Sequence, residues 1–175
     1  MAADMPASPR TLVVMRHAKA EQAGPTDFER GLAGRGHDDA VATGRWLAAQ
    51  GIRPDAALVS AASRAQQTFV AVSQGAQWTL DPTLDRGLYA ADPDTALDLV
   101  RTLEADIVTA VVIGHNPTMA YLAMMLDDSE GDADAAVGIA GGFPTSALAV
   151  FTYDGTWREL AGGSARVRAF HVARG

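Results

Sequence analysis

No cysteine occurs in the 175 residues, which excludes a disulfide framework, a thiolate nucleophile and a zinc–thiolate centre and fits a reducing cytoplasm. Long apolar runs are also missing. None approaches the roughly 20 residues of a membrane-spanning helix, and Met1 to Arg10 lack the apolar core of a signal sequence. Residues 1–10 are expected to form a disordered N-terminal tail and residues 11–175 a single domain, long enough to bury its own core. An excess of positive charge is absent too. The formal net charge of -7 argues against a nucleic-acid partner, because affinity for a phosphate backbone rests on clustered cations. Any anion site must therefore be a local arrangement.

What is present begins with Thr11-Leu-Val-Val-Met-Arg-His-Ala-Lys19, an apolar run that stops abruptly at Arg16 and His17. Such a run reads as a strand buried on both faces of a parallel sheet, with the two polar residues at its carboxyl end. Ligands of open α/β sheets bind at that edge, so a cation and an imidazole there are placed to meet an anion. They can equally do no more than end a strand.

Further along, residues 21–31 are turn-rich and carry Asp27-Phe-Glu-Arg30, which suggests a loop over the same edge. Residues 32–50 have helical periodicity and stop at Gly51. His37, near the start of that helix, reads as an exposed surface histidine. A second buried strand spans 57–60 and a helix follows over 61–73, with Arg64 in its first turn. A cation there opposes the helix dipole by roughly 0.3–1 kcal/mol, which is locally unfavourable but useful if an anion sits beside it. The alternative is a surface arginine tolerating a small penalty.

Residues 78–80 read as a third strand, and 84–90 as a loop crossing the same edge. Asp94 or Thr95 can cap a helix running to about Leu103. Residues 109–113 repeat the opening pattern and end in Gly114-His115-Asn-Pro117, where Asn116 can cap a helix and Pro117 suits its first turn. The methionine-rich segment 118–126 reads as core packing. Asp127 to Asp134 is an acidic loop without the spacing of a calcium site. Residues 146–152 and 157–160 are expected to form a hairpin about Asp154-Gly155, with a last strand over 165–172 and a structural His171.

Two histidines and two arginines thus converge on one sheet edge from three strand ends. Guanidinium forks match the peripheral oxygens of a phosphoryl group. A neutral histidine held by one ring nitrogen can present the other as a nucleophile, and a second histidine, if protonated, adds positive charge to the transferring group.

These residues also carry a resemblance. Arg16-His17-Ala18-Lys19, with Ser60-Ala-Ala-Ser-Arg64-Ala-Gln-Gln-Thr68 and Gly114-His115-Asn-Pro117, is similar to the histidine phosphatase superfamily and most closely to its small SixA-like phosphohistidine phosphatases. The likeness runs from about Thr11 to Val172 and takes in Asp27 to Leu32, Leu88-Tyr89 and Phe143-Pro-Thr145. It implies an α/β fold of the phosphoglycerate mutase-like kind, a three-layer α/β/α sandwich with a mostly parallel central sheet. It also implies His17 as the phosphoryl acceptor, and Arg16, Arg64 and His115 as the phosphate pocket. Ala18 replaces the glycine of the founding motif, as it often does in the SixA-like branch. Larger members add a carboxylic acid for the leaving group. Here Asp85 lies in the corresponding loop, with Arg86 and Gly87 where a glutamate would be sought.

The expected activity is cytoplasmic, metal-independent hydrolysis of phosphohistidine in proteins, with no cofactor, no nucleic acid and no membrane. A phosphatase of small phosphate monoesters and a non-catalytic phosphoprotein-binding module are the alternatives. A pure binder has no need of a nucleophile such as His17, and a mutase would require insertions that this chain lacks.

Overall fold

The computed structural model describes residues 8–175. Most of the expected tail, residues 1–7, lies outside them, and Arg10 is already the first residue of strand β1 (Arg10–Arg16). This strand is the centre of the molecule. Leu12, Val13, Val14 and Met15 are all buried, each contributing on the order of 1.5–3 kcal/mol relative to exposure. β1 runs parallel to β4 (Thr109–Gly114) on one side and antiparallel to β5 (Ala147–Tyr153) on the other. Beyond β4 lie β2 (Ala56–Ser60) and β3 (Thr83–Asp85), both parallel, and beyond β5 lies the antiparallel β6 (Arg166–Val172). The sheet order is β3-β2-β4-β1-β5-β6.

Because side chains alternate along a strand, β1 feeds two cores. Leu12 and Val14 join the one covered by α3 (Pro93–Arg101), α4 (Thr118–Leu126) and α5 (Ala133–Gly141). Val13 and Met15 join the one covered by α1 (Gly34–Ala49) and α2 (Ser63–Ala76). The result is the expected three-layer α/β/α sandwich, with its parallel strands ending on one edge.

The helix pair α1 and α2 packs through glycine. A Cβ on Gly44 would lie 2.1 Å from the Val72 carbonyl oxygen, and one on Gly75 would lie 2.1 Å from that of Val41, so each backbone occupies the other's side-chain space. A third close approach sets α1 on the segment that leaves β1. There a Cβ on Gly36 would meet the Lys19 carbonyl oxygen at 2.0 Å.

Several elements differ from the sequence reading. Residues 78–80 are not a strand; the edge strand is Thr83–Asp85, past Pro82. Gln77 ends α2 in the left-handed conformation, and Trp78 then donates its indole N–H to the Ile52 carbonyl at 3.2 Å and packs into the α1–α2 core. Its apolar surface is thus buried without a ladder.

The expected strand 157–160 is instead a single 3-10 turn, Trp157–Glu159, closed by reciprocal Thr156–Glu159 capping bonds. Trp157 donates to the Ile107 carbonyl at 2.7 Å and fills the core, so β5 finds its hairpin partner only at β6. The acidic loop yields α5, because Asp132 accepts from the Ala135 N–H at 2.8 Å and serves as its cap. Similarly, Asp92 caps α3, two residues ahead of the expected Asp94. Pro117 rather than Asn116 is the residue before α4, while the Asn116 carboxamide oxygen accepts from Ala120 N–H at 3.3 Å. No helix among the described residues is long and apolar enough to cross a membrane.

Candidate active site

Each of the four expected residues lies at or just beyond the carboxyl end of a parallel strand. Arg16 ends β1 and His17 follows it, held by backbone bonds from its N–H to the Gly114 carbonyl at 3.0 Å and from Ser146 N–H to its own carbonyl at 3.1 Å. His115 follows β4, and Arg64 is the second residue of α2. Thr68 fastens these parts together. Its hydroxyl accepts from the Ala18 N–H at 3.0 Å and donates to the Arg64 carbonyl at 2.6 Å, locking the first turn of α2 to the exit of β1.

The His17 and His115 rings lie with centroids 5.1 Å apart, inclined by 57°. His17 is 8% exposed, and its Nδ1 lies 2.7 Å from the Ala18 carbonyl oxygen. A carbonyl only accepts, so Nδ1 carries the proton and Nε2 keeps its lone pair. Arg64 Nε donates to that Nε2 at 3.3 Å. Burial pushes His17 down to about 4; the Ala18 carbonyl opposes this, and Arg64, Arg16 and Arg30 add to it. The imidazole is therefore neutral at pH 7.

His115 is neutral as well, pushed down to about 3 by burial first and then by His17 and Arg64. The condition under which it would add positive charge, protonation, is not met in the resting site. Its Nε2 lies 2.7 Å from Ser60 Oγ, and its buried Nδ1 has no partner among the described residues.

Arg16 reaches across the edge to donate to the Phe143 carbonyl through Nη1 at 3.3 Å, and its buried Nε has no partner among the described residues. Asn116 Nδ2 donates to the same carbonyl at 2.7 Å, so the Phe143 turn ties Arg16 to the head of α4. Burial, then the nearby Arg64, lowers the Arg16 guanidinium from its ordinary value. Two cations share one small volume, an arrangement that favours an anion between them.

Over this edge lies the 21–31 loop. Arg64 Nη1 donates to the Asp27 carbonyl oxygen at 2.8 Å and Nη2 to the Asp27 carboxylate at 3.2 Å. Tyr89 donates to the same carboxylate at 2.5 Å, and Arg30 holds its other oxygen at 2.9 Å. Tyr89, then Arg30 and Arg64, keep Asp27 well below the usual carboxylate range. The Tyr89 ring meets His115 edge-on at 5.5 Å, walling the site.

Asp85 does not join the group. Its carboxylate accepts from the Leu88 N–H at 3.2 Å, within its own turn. His37 is exposed beside Asp38, and His171 stacks on Trp46 at 4.2 Å, both away from the four. An open cleft of about 650 Å³ along α2, lined by Phe69, Val70, Trp78 and Leu84, contains none of them either. Among the described residues, no group of three or more His, Cys, Asp or Glu is placed to hold a metal ion.

Sequence reasoning gave no individual role to Ser60, Thr68, Asp27 or Tyr89. Ser60 carries the one available signal, since it ends an apolar strand as Arg16 does. The contacts that bring the other three into the site, Thr68 with Ala18, Asp27 with Arg64 and Tyr89 with Asp27, span 37 to 62 residues of chain.

Comparison with known proteins agrees with this geometry. The family model of the histidine phosphatase superfamily (branch 1) matches residues 12–89. An uncharacterized protein of Mycobacterium tuberculosis is 37% identical over 164 residues, which cover 91% of this chain and 100% of that one. A solved structure from Nakamurella multipartitia, described as a candidate phosphohistidine phosphatase SixA, superimposes with a TM-score of 0.85 at 29% identity, over 97% of this chain and 99% of its own. Another so described, from Agrobacterium tumefaciens, gives 0.75 at 30% identity, over 93% and 97%. A Plasmodium falciparum phosphoglycerate mutase shares the fold, with a TM-score of 0.60 at 16% identity over 95% and 93%.

Proposed function

The chain belongs to the histidine phosphatase superfamily and is SixA-like, and from that premise we propose that it hydrolyses phosphohistidine in proteins through a phosphoryl group carried on His17. The observation that carries this reading is the state of His17. Its Nδ1 proton is committed to the Ala18 carbonyl, and its bare Nε2 faces the Arg64 guanidinium at 3.3 Å.

In the first step the Nε2 lone pair forms a bond to phosphorus while the bond from phosphorus to the substrate imidazole breaks. The departing nitrogen takes a proton from solvent. In the second, a water oxygen attacks phosphorus, the bond to Nε2 breaks, the water's proton passes to solvent, and inorganic phosphate leaves with His17 neutral again. Arg16 and Arg64 hold the peripheral oxygens, whose charge is shared in the transition state. No metal takes part in this scheme.

The choice of an N-linked phosphoryl group follows from the carboxylates. Asp85 is turned into its own turn, where it accepts from Leu88 N–H, and Asp27 is ionised against two arginines and a tyrosine, so neither is set to protonate a leaving group. An alkoxide needs such a donor. Imidazole, with a free pKa of about 6.5, can leave after protonation from solvent.

Phosphate release from a phosphohistidine-bearing protein, compared with aryl phosphates, phosphoserine and phosphoglycerate, tests the reading. Phosphohistidine and good aryl leaving groups should give the higher kcat/KM. Faster turnover of phosphoglycerate would point to the small-molecule alternative.

A further inference from the structure

Ser60 is fully buried at the end of β2 and takes no part in the scheme above, yet among the described residues it makes the one hydrogen bond to the His115 ring. Its Oγ lies 2.7 Å from His115 Nε2 and also accepts from the Ala62 N–H at 3.3 Å. A hydroxyl has one proton to give. If His115 donated from Nε2, Ser60 would accept twice and neither of its two partners would take its own proton. If Ser60 donates to Nε2, every group in the chain Ala62 N–H, Ser60 O–H, His115 is satisfied, and the imidazole proton resides on Nδ1.

That nitrogen is the buried, unpartnered one. A buried donor without a partner is costly to keep, so it is retained where a ligand uses it. We propose that Ser60 is a positioning residue that fixes His115 in the Nδ1–H tautomer, so that the neutral ring presents a hydrogen-bond donor to the phosphoryl oxygens.

The arrangement parallels that of His17, whose Nδ1 proton is fixed by the Ala18 carbonyl. Both rings then carry the proton on Nδ1, with opposite consequences: His17 is left with a nucleophilic nitrogen toward Arg64, and His115 with a donor. Burial keeps His115 uncharged in the resting site, so the tautomer alone decides whether Nδ1 attracts or repels an oxyanion. A lone pair there would face the phosphoryl oxygens with like charge.

The consequence for turnover rests on the proposed phosphoryl transfer; the tautomer itself does not. Nitrogen-15 NMR of the ligand-free wild type at pH 7, with the His115 signals identified by their loss in His115→Asn, should show a protonated Nδ1 and a bare Nε2. In Ser60→Ala the ring should move toward the other tautomer, and kcat for an aryl phosphate should fall about tenfold to a hundredfold, part of the effect of losing an oxyanion donor. Ser60→Thr, which keeps the hydroxyl, should retain the tautomer and most of the turnover. Should Ser60→Ala fail to fold, Ser60→Cys, a weaker donor of similar size, takes its place.

A protonated Nε2 in the wild type overturns the proposal. So does a Ser60 variant that loses turnover with the tautomer unchanged, or changes tautomer without losing turnover. If no substrate is turned over while the wild type holds its proton on Nδ1, the phosphatase reading fails and the assignment of Ser60 stands.

Discussion

Truncating Arg64 separates its role at the site from that of a surface arginine in a helix. The side chain is 6% exposed and its three nitrogens donate to His17 Nε2, the Asp27 carbonyl and the Asp27 carboxylate. Arg64→Ala removes a cation from the place where charge develops. Losing one such donor costs about 2.7–4 kcal/mol, so kcat should fall about a hundredfold to a thousandfold. A second effect goes with it. Arg64 is one of the causes that hold His17 at about 4, so without it His17 should titrate higher and the acid limb of kcat/KM should move up in pH. Arg64→Lys keeps a charge but not the fork, and should leave the acid limb nearer its wild-type position while restoring only part of kcat. Steady-state rates on an aryl phosphate across the acid range, for all three proteins, provide the comparison. Activity within a few-fold of wild type, or an acid limb that stays in place in Arg64→Ala, would refute this account of the site.

The two neutral histidines should also be visible in stability. Folded, they titrate near 4 and 3; unfolded, near 6.5, so between these values the unfolded chain binds more protons and stability falls as pH drops below about 6.5. From pH 6.5 to 5, above most carboxylate titration, this amounts to about 1.5 kcal/mol per histidine, measurable by urea unfolding and reduced in His17→Gln; a flat profile would contradict it. Gly44→Ala should destabilise by about 1–3 kcal/mol, because its Cβ would lie 2.1 Å from the Val72 carbonyl and force α1 from α2. Gly34→Ala, with open space around the new Cβ, should leave the melting temperature unchanged or higher; equal effects of the two would exclude the packing argument. Turnover should survive EDTA, and loss with recovery on adding a divalent ion would overturn the metal-free scheme.

Much of the frame is legible in the residues because short apolar runs with abrupt polar ends have few other uses. β1, β2 and β4 are of this kind, and their ends deliver Arg16, Ser60 and His115 to one edge. The strand β3 is not legible, since it has three residues and its Leu84 is exposed, whereas the more apolar Trp78 to Leu80 pack against helices instead. α5 is hidden for another reason. Its Ala- and Gly-rich run, with Asp134 as its one charge, lacks amphipathic contrast, and its cap, Asp132, is indistinguishable in sequence from its acidic neighbours.

The chemistry divides similarly. That His17 and His115 meet could be read from strand ends; that both are neutral depends on burial, which only the packed structure supplies. The hold of Asp27 and Tyr89 on Arg64 joins three separate loops and helices, and no local spacing reports such a contact.

The central claim is that His17 accepts the phosphoryl group, and trapping that species tests it most directly. Rapid mixing with a substrate labelled in its phosphoryl group, followed by denaturing quench under alkaline conditions and peptide mapping, should place the label on the peptide containing His17 in the wild type. His17→Ala should carry none. Label on Ser60 or Ser63, or turnover by His17→Ala at the wild-type rate, would contradict the account.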